Sequence, residues 1–231
     1  MQVTEVYSKK IDSAIKAIHL IGCNVNDIVD KYDKENFPNG GPLKSTCFLE
    51  VINKKLSYEI YEYVEKICSL AHHRDSRKAY EYGIDLILGW LIEDAVLIFL
   101  EDSGKKAILS GQDRYRKFLS ARKISTQPDI CIQLSSGNRM LEVFSDWKGT
   151  WRNQNHADLR DNKYNKLKEK KAILLGIAPL SGEGFLIDIS QDDKSFVENF
   201  IPAYRKMGFT HNAIRSELRS LDLVMNDLLS I

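Results

Sequence analysis

The chain predicts a mixed α/β fold: an α/β core with a central sheet flanked by helices, an N-terminal helical region wrapped on it, and more helices at the C-terminus. Three observations carry this. Apolar residues recur at helical spacing through the first hundred positions, as in Ile11, Ile15, Ile18 and Ile21. After Ser103-Gly104 the pattern changes to short apolar or alternating runs. Helical spacing then returns beyond residue 190.

In order, residues 5–37 read as helix, and Phe37-Pro38-Asn39-Gly40-Gly41-Pro42 as a breaker. Residues 46–72 resume helical spacing, and His72 to Ser76 interrupts it. A long helix is expected from about Arg77 to Glu101, ended by Ser103-Gly104. Strands are expected at Ala107-Ile108-Leu109, Ile130 to Leu134, Arg139 to Trp147, Ala172 to Ile177 and Phe185 to Ile189. A polar helix, Arg160 to Lys170, separates the third from the fourth. Two helices are expected at 192–206 and 211–229. The expected division is a helical region at 1–76 packed on a core at 77–231, together one compact domain.

The 231 residues are enough for a sizeable core. Apolar residues make up 43% and charged residues 28%, as in ordinary soluble proteins. With a formal net charge of +1 the molecule is no polycation, so any nucleic-acid affinity rests on local charge clusters. Cys23, Cys47, Cys68 and Cys131 form no CxxC and no zinc spacing, and read as reduced thiols. The five histidines form no HExxH pattern, and His72-His73-Arg74 reads as an interhelical connection. The N-terminus is polar and has no signal-peptide pattern. Asp85, Glu93 and Asp94 interrupt the most apolar stretch, which favours a buried helix over a membrane span. A cytoplasmic location is expected.

The chemistry concentrates in two strands. Alternation along Met140 to Lys148 sets Met140, Glu142, Phe144, Asp146 and Lys148 on one face. Asp146 and Lys148 then point the same way, with Cα atoms about 7 Å apart. Asp129, after Pro128, opens the preceding strand. Pairing across a Ser135-Ser136-Gly137-Asn138 turn is expected to bring Asp129 beside Asp146. Two converging carboxylates repel each other and call for a cation. Mg²⁺ suits them, because it takes oxygen ligands and keeps several waters. Such an ion polarises a phosphate and activates water, and Lys148 can orient that water or offset charge on phosphorus. Glu142 shares the face as an additional acid, either a ligand or a support.

Pro128-Asp129 followed by Asp146-x-Lys148 resembles the PD-(D/E)xK nuclease superfamily, the fold of most type II restriction endonucleases. The resemblance covers about residues 80–190. It implies a restriction-endonuclease-like central sheet with Asp129 and Asp146 as metal ligands, Lys148 as the assisting lysine, and Mg²⁺ as cofactor, replaceable by Mn²⁺. The superfamily often adds an acid from a helix before the first core strand, and Glu93 stands in that place. Glu93 otherwise pairs with an Arg or Lys from the N-terminal helices, with Asp94 as the fallback acid. The activity implied is site-specific cleavage of double-stranded DNA by a homodimer. A repair, junction-resolving or RNA-cleaving enzyme of the same superfamily, or an inactive nucleic-acid-binding module, are the alternatives.

Two segments are candidates for holding DNA. Lys105 to Lys123 carries Lys105, Lys106, Arg114, Arg116, Lys117, Arg122 and Lys123 against the single acid Asp113, and suits phosphate contact. Trp151-Arg152-Asn153-Gln154-Asn155 directly follows the acidic strand, and its guanidinium and amide groups suit base edges in the major groove. The final apolar stripe (Ile214, Leu218, Leu221, Val224, Met225) either makes a dimer interface or covers the core.

Overall fold

The computed structural model describes residues 4–34, 45–55, 57–58, 61–62, 65, 78–111, 114–116, 127–151, 156–190, 196–197, 211–215 and 217–231. The chain divides into two compact units. The first comprises Met1–Phe99 and Gly111–Ser125, the second Leu100–Ser110 and Thr126–Ile231. The division therefore falls at Phe99 and not at residue 76, and the 111–125 segment returns to the first unit.

The first unit is helical. Its elements are α1 (Glu5–Ile21), α2 (Val25–Lys34), α3 (Ser45–Ile52) and α4 (Ala79–Asp102), whose last residues enter the second unit. The single helix expected over 5–37 is two. Gly22 adopts φ 100° and ends α1, its N–H bonding back to the carbonyls of His19 and Ile18. The helix expected over 46–72 gives eight residues of α3, after which Lys54 turns with φ 59°. Most of the remainder, and the 37–42 breaker, lie outside the described residues. α4 matches its expectation. At its start the Glu81 side chain reaches back to accept the Lys78 N–H at Oε2, 3.1 Å away. It ends where Gly104 takes φ 81°. Its apolar surface is nearly continuous, and Ile84, Ile87, Leu88, Trp90, Leu91 and Ile92 are all buried. No helix among the described residues is long and apolar enough to cross a membrane.

The second unit is α/β. A six-stranded mixed sheet has the order β1-β2-β3-β5-β6-β9, built from β1 (Lys106–Leu109), β2 (Ile130–Leu134), β3 (Gly137–Ser145), β5 (Ile173–Ala178), β6 (Glu183–Asp188) and β9 (Arg219–Ser220). Only the β3–β5 pairing is parallel. It needs a crossover, supplied by β4 (His156–Arg160) and α5 (Asp161–Glu169). The central strand β5 is buried along its whole length. Tyr164 and Leu167 of α5 pack with Trp151, Leu174 and Phe185 in a core cluster. Gly176 makes room for it, because a Cβ there would lie 2.0 Å from the Phe185 ring.

Four strands escaped the sequence reading. β4 joins β8 (His211–Arg215) and β7 (Phe196–Val197) in a three-stranded antiparallel sheet, and β9 extends the larger one. The helix expected over 211–229 is thereby corrected to β8, β9 and α6 (Leu221–Leu229). Of the helix expected over 192–206, residues 196–197 are strand and the others lie outside the described residues. The apolar side of α6 (Leu221, Val224, Met225, Leu228) is buried within the chain, so it covers core.

Candidate metal centre

The hairpin that carries the acids is set by its turn. Ser135 and Ser136 form it alone, and Gly137, at φ 122°, already pairs with Leu134. The register runs Leu134↔Gly137 through Ile130↔Leu141. Continued by one residue, it sets Asp129 across from Glu142. The side chain agrees, since Asp129 Oδ2 accepts the Val143 N–H at 2.9 Å. The backbone before it is held as well. Ser110 N–H donates to the Asp129 carbonyl at 2.8 Å, and Ser110 Oγ to the Pro128 carbonyl at 2.6 Å. The end of β1 thus anchors the Pro128-Asp129 entry to β2.

The expected partnership of Asp129 with Asp146 is corrected by this register. Asp146 lies four residues beyond Glu142, about 13 Å along an extended strand, and just past the end of β3. Its carboxylate organises the loop that follows. Oδ1 accepts the Lys148 N–H at 2.9 Å and the Thr150 hydroxyl at 3.2 Å, and Oδ2 accepts the Trp151 N–H at 2.9 Å. Asp146 is 5% exposed and continues the ladder to β5 by donating its own N–H to the Ile177 carbonyl at 2.9 Å. Lys148 is exposed on this loop.

Glu142 is 3% exposed, on the face of β3 that also carries Met140 and Phe144. A carboxylate so placed needs a cation. Lys163, the third residue of α5, provides one, with its Nζ 2.5 Å from Glu142 Oε1. Met140 and Phe144 pack against the core cluster on either side. In the sequence Lys163 is only one of several basic residues of the polar helix expected over Arg160 to Lys170. The signal that could have found it is a basic residue in the first turn of a helix that returns over an acidic strand.

Glu93 sits in the first unit, where a different cation holds it. Arg116 Nη1 is 2.5 Å from Glu93 Oε2, while Arg116 Nη2 and Nε bond Asp94 Oδ1 and Oδ2 at 2.8 and 3.2 Å. Arg116 is 1% exposed, with its guanidinium carbon 6.0 Å from the Trp90 ring centroid. Earlier on the same stripe of α4, Asp85 pairs with Lys10 at 2.8 Å.

Two of the residues expected to touch DNA are therefore corrected. Arg116 is enclosed by two carboxylates and has no surface to offer a phosphate. Trp151 is buried in the core, with ring centroids 5.5 Å from Phe144 and 5.2 Å from Phe185. Arg114 is exposed, its guanidinium stacked 4.7 Å from the Tyr115 ring centroid. Lys117, Arg122, Arg152, Asn153, Gln154 and Asn155 lie outside the described residues.

Among the described residues no group of three or more His, Cys, Asp or Glu is gathered as a metal cage. Mg²⁺ does not require one, because one or two carboxylates, water and substrate phosphate complete its shell. Asp129 and Glu142 stand at facing backbone positions of the hairpin, one residue beyond the Ile130↔Leu141 pair, and each carries oxygen ligands of the kind Mg²⁺ takes. The comparisons with known protein families and with curated proteins return no match for this chain.

Proposed function

We propose that the chain is a divalent-metal-dependent nuclease that hydrolyses phosphodiester bonds in double-stranded DNA, with Asp129 and Glu142 as the acids that hold the cation. The observation that supports the reading is the hairpin register, which, continued one residue past Ile130↔Leu141, brings positions 129 and 142 face to face. Mg²⁺, with Mn²⁺ as substitute, would polarise the scissile phosphate and activate water there. Asp129 is oriented by its bond from the Val143 N–H and by the pinned backbone at Ser110, so it offers its oxygens in a fixed direction. Asp146 shapes the loop that presents Lys148.

The basic face of α5 and the turn after it supports a polyanionic substrate. Lys166, Lys168, Lys170 and Lys171 are all exposed in the same unit as the acids. Such a face neutralises phosphates without reading sequence. Sequence-specific cleavage by a two-fold homodimer on a palindromic target is the form of activity that goes with the PD-(D/E)xK resemblance.

The test is incubation of the purified chain with long mixed-sequence DNA and Mg²⁺, beside an EDTA control and Glu142→Gln. Discrete fragments that share an end sequence and vanish with EDTA or with the substitution are expected. DNA left intact by the wild-type chain, or cut equally in EDTA, would overturn the reading.

A further inference from the structure

We propose that Lys163 is the lysine that works with this acidic pair, and that it doubles as a resident cation which a divalent ion must displace from Glu142. The inference rests on the proposed nuclease reading and goes beyond the motif, which puts that lysine at Lys148.

The geometry separates the two lysines. Lys163 Nζ lies 2.5 Å from Glu142 Oε1, whereas Lys148 stands on the loop that Asp146 ties down and is exposed. The position of Lys163 is unusual for a purely structural ion pair. It is the third residue of α5, near the positive end of the helix dipole, where a cation is disfavoured. Glu142 compensates for that charge. The two sides of the pair also differ in access. The Glu142 side chain is 4% exposed and that of Lys163 is 27% exposed. The lysine thus reaches the carboxylate from the solvent side on a flexible four-carbon stem. It can withdraw from Glu142 without unpacking Tyr164 or Leu167, which anchor α5 to the core cluster. A withdrawn ammonium stays on the solvent side of Glu142, the side from which a substrate phosphate would arrive. One group then neutralises the acid at rest and supplies positive charge to the substrate when the site is loaded.

Competition for one carboxylate makes the idea measurable without turnover. Mn²⁺ binding to the full chain would be followed by calorimetry in the wild type, Lys163→Met and Lys148→Ala, with DNA cleavage measured in parallel. Removing the competing ammonium is expected to tighten Mn²⁺ binding at least tenfold in Lys163→Met while lowering cleavage at least a hundredfold. Lys148→Ala is expected to change Mn²⁺ affinity less than twofold. Should Lys163→Met fail to fold, Lys163→Gln keeps a donor for Glu142 and carries the same expectations. Unchanged or weaker Mn²⁺ binding in the Lys163 variants, or cleavage at the wild-type rate, would overturn the role of Lys163 and leave the nuclease reading standing. Absence of Mn²⁺ binding and of cleavage in the wild type would overturn both.

Discussion

Glu93 and Asp94 in the first unit and Glu142 in the second are all carboxylates taken out of water beside a cation, but the cations differ in kind. Arg116 is 1% exposed and meets two acids with three of its nitrogens. Its planar fork is satisfied on both sides, and nothing in that arrangement can exchange. Lys163 meets Glu142 with one ammonium, from the solvent side, on the strand that also holds the Asp129 carboxylate through the Val143 N–H. Burial alone therefore does not mark a functional acid. The partner decides. A closed guanidinium clamp reads as architecture, whereas the proposed chemistry rests on an ammonium that reaches its acid from the solvent side.

The contrast can be broken from the structural side. Arg116→Ala leaves two buried carboxylates uncompensated and is expected to cost about 3–5 kcal/mol in urea unfolding. It should not alter Mn²⁺ affinity in whatever fraction remains folded. A milder loss accompanied by weaker metal binding would place the clamp in the site after all. A smaller effect is expected at Asp146. Asp146→Ala releases the Lys148 and Trp151 N–H groups and the Thr150 hydroxyl, at a cost of about 1–3 kcal/mol. Faster proteolysis at the 147–151 loop, with cation affinity retained, would sharpen its assignment as a loop organiser.

The smallest expected effect lies at Asp188, another acid of the same molecule, which is only partly buried. Burial by itself pushes its carboxyl up, but hydrogen bonds from Ser190 and Arg139 outweigh this and hold it below the ordinary carboxylate value. Because the folded value is depressed, the stability it contributes is present above the ordinary carboxylate range. It is lost as the pH falls through the depressed value. Arg139→Ala is expected to cost under about 1 kcal/mol at neutral pH, and that cost should fade in acid. A cost independent of pH would mean that Arg139 acts by packing.

Much of the fold is legible in the sequence because the core strands are apolar enough to announce themselves. Ile173 to Ala178 is buried at every position, and its run of Ile-Leu-Leu could hardly be anything else. β8 was hidden for the opposite reason. His211-Asn212-Ala213-Ile214-Arg215 holds one large apolar residue, and Ile214 aligns by chance with Leu218 and Leu221 at helical spacing. The break between α1 and α2 is likewise a single glycine inside an unbroken apolar period.

The strand face that carries the acids was legible in the sequence, but its register against β2 was not. Glu142 and Asp146 share one strand face, so alternation cannot choose between them. The choice depends on register, and register depends on whether the turn has two residues or four. Nothing in Ser135-Ser136-Gly137-Asn138 fixes that number in advance. The Lys148 motif drew attention to Asp146, while the pairing of Glu142 with Lys163 joins positions 21 residues apart and needs the β3–α5–β5 crossover to become visible.

The most direct test of the central claim is to titrate Mn²⁺ into the wild-type chain, Asp129→Asn, Glu142→Gln and Asp146→Asn by calorimetry. If Asp129 and Glu142 form the cation site, the first two substitutions weaken binding at least a hundredfold and Asp146→Asn changes it no more than a few fold. Loss of binding in Asp146→Asn with Glu142→Gln unaffected would contradict the account and return the site to the Asp129–Asp146 pair.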